Sequence, residues 1–143
     1  IAHGDRWFFR FLWLLRGQHR DVAVAAEEAY YLNRPLLYHP STLLAEDDEG
    51  VIVTCRKPWS RDVTARWLVV HGITLPVVYV DEADQLDWDR DYAAASVAAG
   101  QLKATELWRL GVSVHFDNNP MLVRELRRLL PGVRVVLVGG GCG

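Results

Sequence analysis

Cysteine is scarce in this chain, with two among 143 residues, Cys55 and Cys142. They stand far apart and in no metal-ligand spacing. That excludes a disulfide framework and favours a reducing, cytoplasmic setting. Long apolar runs are lacking too. Near the N-terminus Arg10 and Arg16 confine the run to Phe11 through Leu15, too short to span a bilayer and unlike a secretory signal. Positive charge is not in excess. The net charge of −2 argues against a general nucleic-acid binder, which is normally basic. No internal repeat or low-complexity linker is visible. What remains is 50% apolar and 24% charged, the composition of one ordinary globular domain with a real core.

What is present falls into two parts. Residues 5–16 read as a helix with Asp5 as N-cap. Trp7, Phe8, Phe9, Phe11, Leu12, Trp13, Leu14 and Leu15 make it apolar nearly all round. Such a helix must be covered on more than one side, by its own fold or by a partner. The helix from Trp7 to Leu15 is therefore the expected contact for a second copy or another protein, and neither nucleic acid nor membrane is expected as a partner. Residues 21–33 read as a second helix, ending before Arg34-Pro35.

From Gly50 onward strands and helices alternate. Strands are expected at 51–54, 75–80, 112–116 and 133–138. Helices are expected at 61–71, with Val63, Trp67 and Val70 on its buried face, at 92–110, and at 120–130, with Leu122, Leu126 and Leu129 in register. Gly72, Gly111 and Pro131-Gly132 supply the stops. The acidic residues between 81 and 91 lack the glycine and terminal glutamate of a calcium loop and read as a solvated loop. This order implies an α/β fold, a Rossmann-like parallel sheet with helices on both faces, plus an N-terminal helical extension. The expected divisions are a helical extension at 1–34, the α/β domain at 35–138 and a flexible glycine-rich tail at 139–143.

Open α/β sheets bind ligands at the carboxyl ends of their strands. Polar side chains gather there in this sequence. Val51-Ile52-Val53-Thr54-Cys55-Arg56 is a strand ending in a hydroxyl. Lys103 sits on the helix ahead of Leu110-Gly111-Val112. Phe116-Asp117-Asn118-Asn119-Pro120 is a strand ending in an acidic-polar tip. Asn118 or Asn119 also suits the N-cap of a helix with Pro120 at its first position. His115 reads as a packed or surface histidine.

In their order and spacing these three landmarks resemble the haloacid dehalogenase-like (HAD) superfamily, whose members are mostly Mg²⁺-dependent phosphatases. The resemblance covers roughly residues 50–138 and includes Thr64-Ala65-Arg66-Trp67-Leu68-Val69-Val70-His71-Gly72-Ile73, similar to the helix after the second motif in nucleotidase-like members. It implies a phosphatase or nucleotidase-like hydrolase acting on a small phosphorylated substrate. Thr54 and Lys103 would be catalytic, Thr54 holding a phosphoryl oxygen and Lys103 supplying positive charge. Asp117 and Asn118 would face Mg²⁺. By position, Arg56 could hold a phosphate and Trp59 could stack on a base.

The aspartate pair that such a phosphatase uses as nucleophile and general acid/base is not visible. Upstream of Thr54 the candidate strand is residues 36–44, with His39 and Ser41 where the carboxylates should stand. A neutral imidazole brings no negative charge to a magnesium site. Three accounts stay open: a HAD-like domain that no longer hydrolyses phosphate, a nucleophile strand carried by a segment ahead of Ile1, or a likeness to α/β sheets in general. The alternative to an enzyme is an inactive binding or assembly module that works through its aromatic N-terminal helix.

Overall fold

The computed structural model describes residues 19–36 and 39–139. The aromatic segment from Trp7 to Leu15 and the last four residues lie outside them. The fold is mixed α/β. Helices α1 (Arg20–Leu32), α2 (Arg61–Val70), α3 (Tyr92–Leu110) and α4 (Pro120–Leu129) alternate from α2 onward with strands β1 (Ile52–Thr54), β2 (Val77–Tyr79), β3 (Val114–Asp117) and β4 (Arg134–Leu137). The strands form two separate two-stranded parallel sheets, β1 with β2 and β3 with β4. In the second, Val114 aligns with Arg134 and Asp117 with Leu137.

The chain divides into two compact units, Ile1–Ile52 with Pro58–Val77, and Val53–Lys57 with Val78–Gly143. In the first, α1 packs on α2 through Ala23, Val63 and Leu68, all buried. Trp67 is half-buried, and its indole Nε1 donates to the Arg34 carbonyl oxygen at 2.8 Å, which satisfies the one polar group the ring carries. Val70, expected on the buried face, is 72% exposed. The buried stripe of α2 runs instead along Val63, Thr64 and Leu68, so the sequence pattern places it about one residue off.

In the second unit the main packing is α3 on α4. Small residues on α3, Ala95, Ala99, Gly100 and Ala104, are buried and let the helices approach closely. A Cβ on Gly100 would stand 3.0 Å from Glu125 Cβ and 3.3 Å from the Leu122 carbonyl oxygen, so tight that a side chain there would have to push α4 back by a few tenths of an ångström. Leu107, Leu122, Val123 and Leu126 fill the rest of this contact and are almost fully buried. Burying four such side chains contributes on the order of 6–12 kcal/mol before the entropy of ordering is set against it. The helix ends follow from local chemistry. Asp91 caps α3 by accepting from the Ala94 N–H, and Gly111 ends it at φ 67°, a left-handed conformation that glycine adopts without strain.

The expected strand over residues 36–44 does not form where the chain is described. Pro40–Thr42 is a single 3-10 turn. Pro40 lacks the N–H a ladder would need, and local bonds close the turn: the N–H of Thr42 and the N–H of Leu43 donate to the carbonyls of His39 and Pro40. Residues 46–49 sit in the exposed polar stretch that follows, where Asp48 accepts from the Ala45 N–H at 2.7 Å.

Candidate functional site

The strongest polar cluster lies in the second unit, at the carboxyl end of β3. Asp117 is the last residue of that strand. Lys103 comes from the middle of α3, among residues buried by the α3–α4 packing. Its ammonium Nζ donates to Asp117 Oδ2 at 2.7 Å, and the two side chains are only 10% and 9% exposed. His115 Nε2 lies 3.2 Å from the same oxygen. An ionised carboxylate only accepts, so the proton of this bond sits on the imidazole. Asp117 Oδ1 in turn accepts from the Asn119 backbone N–H at 3.2 Å.

Burial alone would raise the Asp117 pKa. The Lys103 charge and the hydrogen bonds from His115 and Lys103 outweigh it and hold the carboxyl well below the usual carboxylate range. Asp117 is therefore an anion at every physiological pH, with its charge matched by a buried ammonium. A buried charge is tolerated when paired and hydrogen-bonded in this way.

The end of β1 belongs to the same neighbourhood. Cys55 follows Thr54 directly. Burial pushes its thiol up, the Lys103 charge opposes that, and the Asp117 charge adds to it. A thiol so raised stays protonated at neutral pH and is a poor nucleophile. The Thr54 hydroxyl accepts from the Arg56 N–H at 3.2 Å, closing a tight turn after the strand. Lys57 then anchors the following loop, donating to the carbonyl oxygens of Asp84 and Leu86 at 2.6 and 2.8 Å. Trp59 belongs to the other compact unit, where its ring packs 5.9 Å from that of Tyr31.

Asn119, not Asn118, caps α4. Its side-chain oxygen accepts from the N–H groups of Met121 and Leu122, with Pro120 at the first helical position. Its amide nitrogen donates to Ser96 Oγ at 2.9 Å. Asn118 is exposed.

Two members of this cluster escape the sequence reading. His115 reads in the sequence as a packed or surface histidine, not as a partner of Asp117. It stands two residues before Asp117 on one strand, and residues two apart share a face. That period is the signal that could have found it. Cys55 had no such signal, since its neighbours Lys103 and Asp117 lie far along the chain.

Among the described residues, no group of three or more His, Cys, Asp and Glu side chains is arranged to hold a metal ion. Asp117 offers one carboxylate. Oδ1, with a single backbone donor, retains a lone pair for a cation. Mg²⁺ is commonly held by one or two carboxylates, with water and substrate phosphate completing its shell. Asp117 fits the part of a single protein ligand, and Asn118 beside it could orient a metal-bound water. No helix among the described residues is long and apolar enough to cross a membrane.

Mixed α/β architecture and a buried lysine–aspartate pair at a strand end thus define the class of site. No protein-family model, curated protein or solved structure matches this chain.

Proposed function

We propose that this chain is a HAD-like domain with a Rossmann-like parallel arrangement. Its site at the ends of β1 and β3 binds the phosphoryl group of a small phosphorylated molecule together with Mg²⁺, as a phosphatase or nucleotidase-like hydrolase does. The observation that carries this reading is the buried Lys103–Asp117 pair at a strand end, with the residue after Thr54 in its field. Phosphoryl transfer is chiefly positioning and charge neutralisation. Lys103 supplies a fixed cation, and Thr54 supplies a hydroxyl for a phosphoryl oxygen. Mg²⁺ on Asp117 would neutralise charge on the phosphoryl oxygens. Arg56, next in sequence to Cys55, is a second candidate cation for the substrate.

A second reading is favoured by a specific observation: among the described residues no other carboxylate joins Asp117 and Lys103, and His39 and Ser41 sit in a local turn. Under that reading the site binds a phosphorylated ligand and does not turn it over, and the chain serves as a binding or assembly module.

Hydrolysis of p-nitrophenyl phosphate with Mg²⁺, in the wild type and in Asp117→Asn, separates the two. Turnover that falls at least a hundredfold in Asp117→Asn, with the circular dichroism spectrum unchanged, supports the hydrolase. Absence of turnover, with Mg²⁺-dependent phosphate binding by calorimetry that Lys103→Met abolishes, supports the binding module. Neither turnover nor binding sinks both.

A further inference from the structure

A carboxylate that holds a metal has to be aimed as well as charged. The torsion that turns an aspartate carboxylate joins an sp³ to an sp² carbon, and its wells are broad. Charge alone does not aim it. The Lys103 ammonium sits 2.7 Å from Asp117 Oδ2, but an ammonium is a compact charge with three rotatable donors. It can follow the oxygen as the carboxylate turns. The donor on His115 belongs to a rigid planar ring. That ring stands on β3, where His115 aligns with Val135 of β4, and its side chain is only 11% exposed. His115 and Asp117 are two apart on one strand and share a face. The imidazole Nε2 thus meets Oδ2 from a fixed place, 3.2 Å away.

The other oxygen is held from the far side. Oδ1 accepts from the Asn119 backbone N–H at 3.2 Å, and Asn119 is itself fixed as the cap of α4. One rigid donor on each oxygen defines the plane of the carboxylate, and Lys103 adds the charge. The remaining lone pair of Oδ1 then has one direction. Mg²⁺ is exacting about such directions, since it demands a near-ideal octahedron with ligands at about 2.1 Å. If position 115 had only to fill space, an apolar side chain of similar size would serve as well as an imidazole.

We propose that His115 is a positioning residue: by donating to Oδ2 it turns the Asp117 carboxylate so that Oδ1 presents its lone pair to the Mg²⁺ that accompanies a bound phosphoryl group. The inference rests on the reading of Asp117 as the metal ligand and adds a role for a side chain that need not touch metal or substrate. Groups that orient a metal ligand through a hydrogen bond are worth about 10- to 100-fold in metal affinity.

Metal binding by the full chain tests it. The probe is Mn²⁺, which takes the same octahedral oxygen shell, with inorganic phosphate at saturation; the free ion is measured by its electron paramagnetic resonance signal. His115→Leu keeps the bulk and loses the donor. His115→Gln places an amide nitrogen near the position of the ring Nε2. The dissociation constant for Mn²⁺ should rise about 10- to 100-fold in His115→Leu and stay within about threefold of the wild type in His115→Gln. A second readout needs no metal. The Asn119 amide, bonded to Oδ1, should shift in the nuclear magnetic resonance spectrum of His115→Leu and hold its place in His115→Gln. Wild type that binds no Mn²⁺ would sink the metal reading of Asp117, and this proposal with it. Binding by His115→Leu equal to that of the wild type would overturn the role of His115 alone and leave Asp117 as the ligand. Equal loss in both variants, or an Asn119 amide unmoved in His115→Leu, would show that the donor is not what matters and would overturn it too. Should His115→Leu fail to fold, His115→Asn replaces it, with an amide one methylene too short to reach Oδ2 and the same outcomes expected.

Discussion

Two prolines in this chain are entered in the same way and left differently. His39 before Pro40 and Asn119 before Pro120 both have extended backbone, at ψ 136° and 109°, as the residue ahead of a proline should. Both act as N-caps through their side chains. Asn119 accepts from Met121 and Leu122, and His39 Nδ1 accepts from the Ser41 N–H at 3.2 Å. Yet Pro120 begins a helix of ten residues and Pro40 a single turn of three. The caps do not explain the difference. After Asn119 come Leu122, Val123 and Leu126, which are buried. After His39 come Ser41 and Thr42, which are exposed. A cap sets where a helix starts, and burial of one face sets how far it runs. Ahead of Asn119, β3 is held in register by β4, and Asp117 at its end is locked by Lys103 and His115.

The largest effect is expected from breaking that lock. Lys103→Met leaves the Asp117 carboxylate buried without its cation. Removing one partner of a buried pair costs about 3 kcal/mol or more. Urea unfolding should show that loss, and the double variant Lys103→Met/Asp117→Leu should recover much of it, because two apolar side chains leave no orphaned charge. Equal stability of wild type and Lys103→Met would show that the pair does not hold the strand end. The pH dependence has a definite sign. The Asp117 pKa is lowered on folding, so its contribution is complete above the unfolded value of about 3.9 and is lost as pH falls below that. The acid limb of the stability curve between about pH 4 and pH 2 should therefore be flatter in Lys103→Met than in the wild type.

A smaller loss is expected at the cap itself. Asn119→Ala removes the acceptor for two N–H groups and the donor to Ser96. Helix caps are worth about 1 kcal/mol. Since Asn119 is only 9% exposed, and Ser96 also loses a partner, about 2 kcal/mol is the expected cost by thermal or urea unfolding. Asn119→Asp keeps the cap acceptor but loses the amide donor and places a second anion beside Asp117. It should fall below the wild type, and its deficit should grow as salt is lowered.

These differences also mark what was legible in the sequence. The helix Tyr92–Leu110 could be read to the residue, because its stop is a glycine that must be left-handed and its interior is unbroken by proline. The start at Pro120 was legible for the same local reason. The strand before Asp117 was placed two residues early, since an apolar run does not say which of its residues will find a ladder partner. Thr54, Lys103 and Asp117 could be picked out as strand-end and helix residues. The bond from His115 to Asp117 needed the period of two applied to one strand, and the place of Cys55 depends on a long-range approach that no local pattern encodes. Of the run 36–44, Leu37 and Tyr38 lie outside the described residues; over Pro40–Thr42 the proline and the His39–Ser41 bond act within three residues and set a 3-10 turn.

The smallest effect belongs to that turn. His39→Ala removes an acceptor from Ser41, whose hydroxyl oxygen also lies 2.7 Å from Nδ1. The bond is exposed, the turn buries no side chain, and exposed polar contacts contribute little, so a loss of at most about 0.5 kcal/mol is expected. Measured beside Asn119→Ala under one set of conditions, it isolates burial as the variable, because both variants remove a side-chain cap one residue before a proline. A cost at His39 equal to that at Asn119 would mean that the 3-10 turn is held by contacts beyond its own hydrogen bonds. A cost near zero would place the whole difference between the two segments in the apolar residues that follow Pro120.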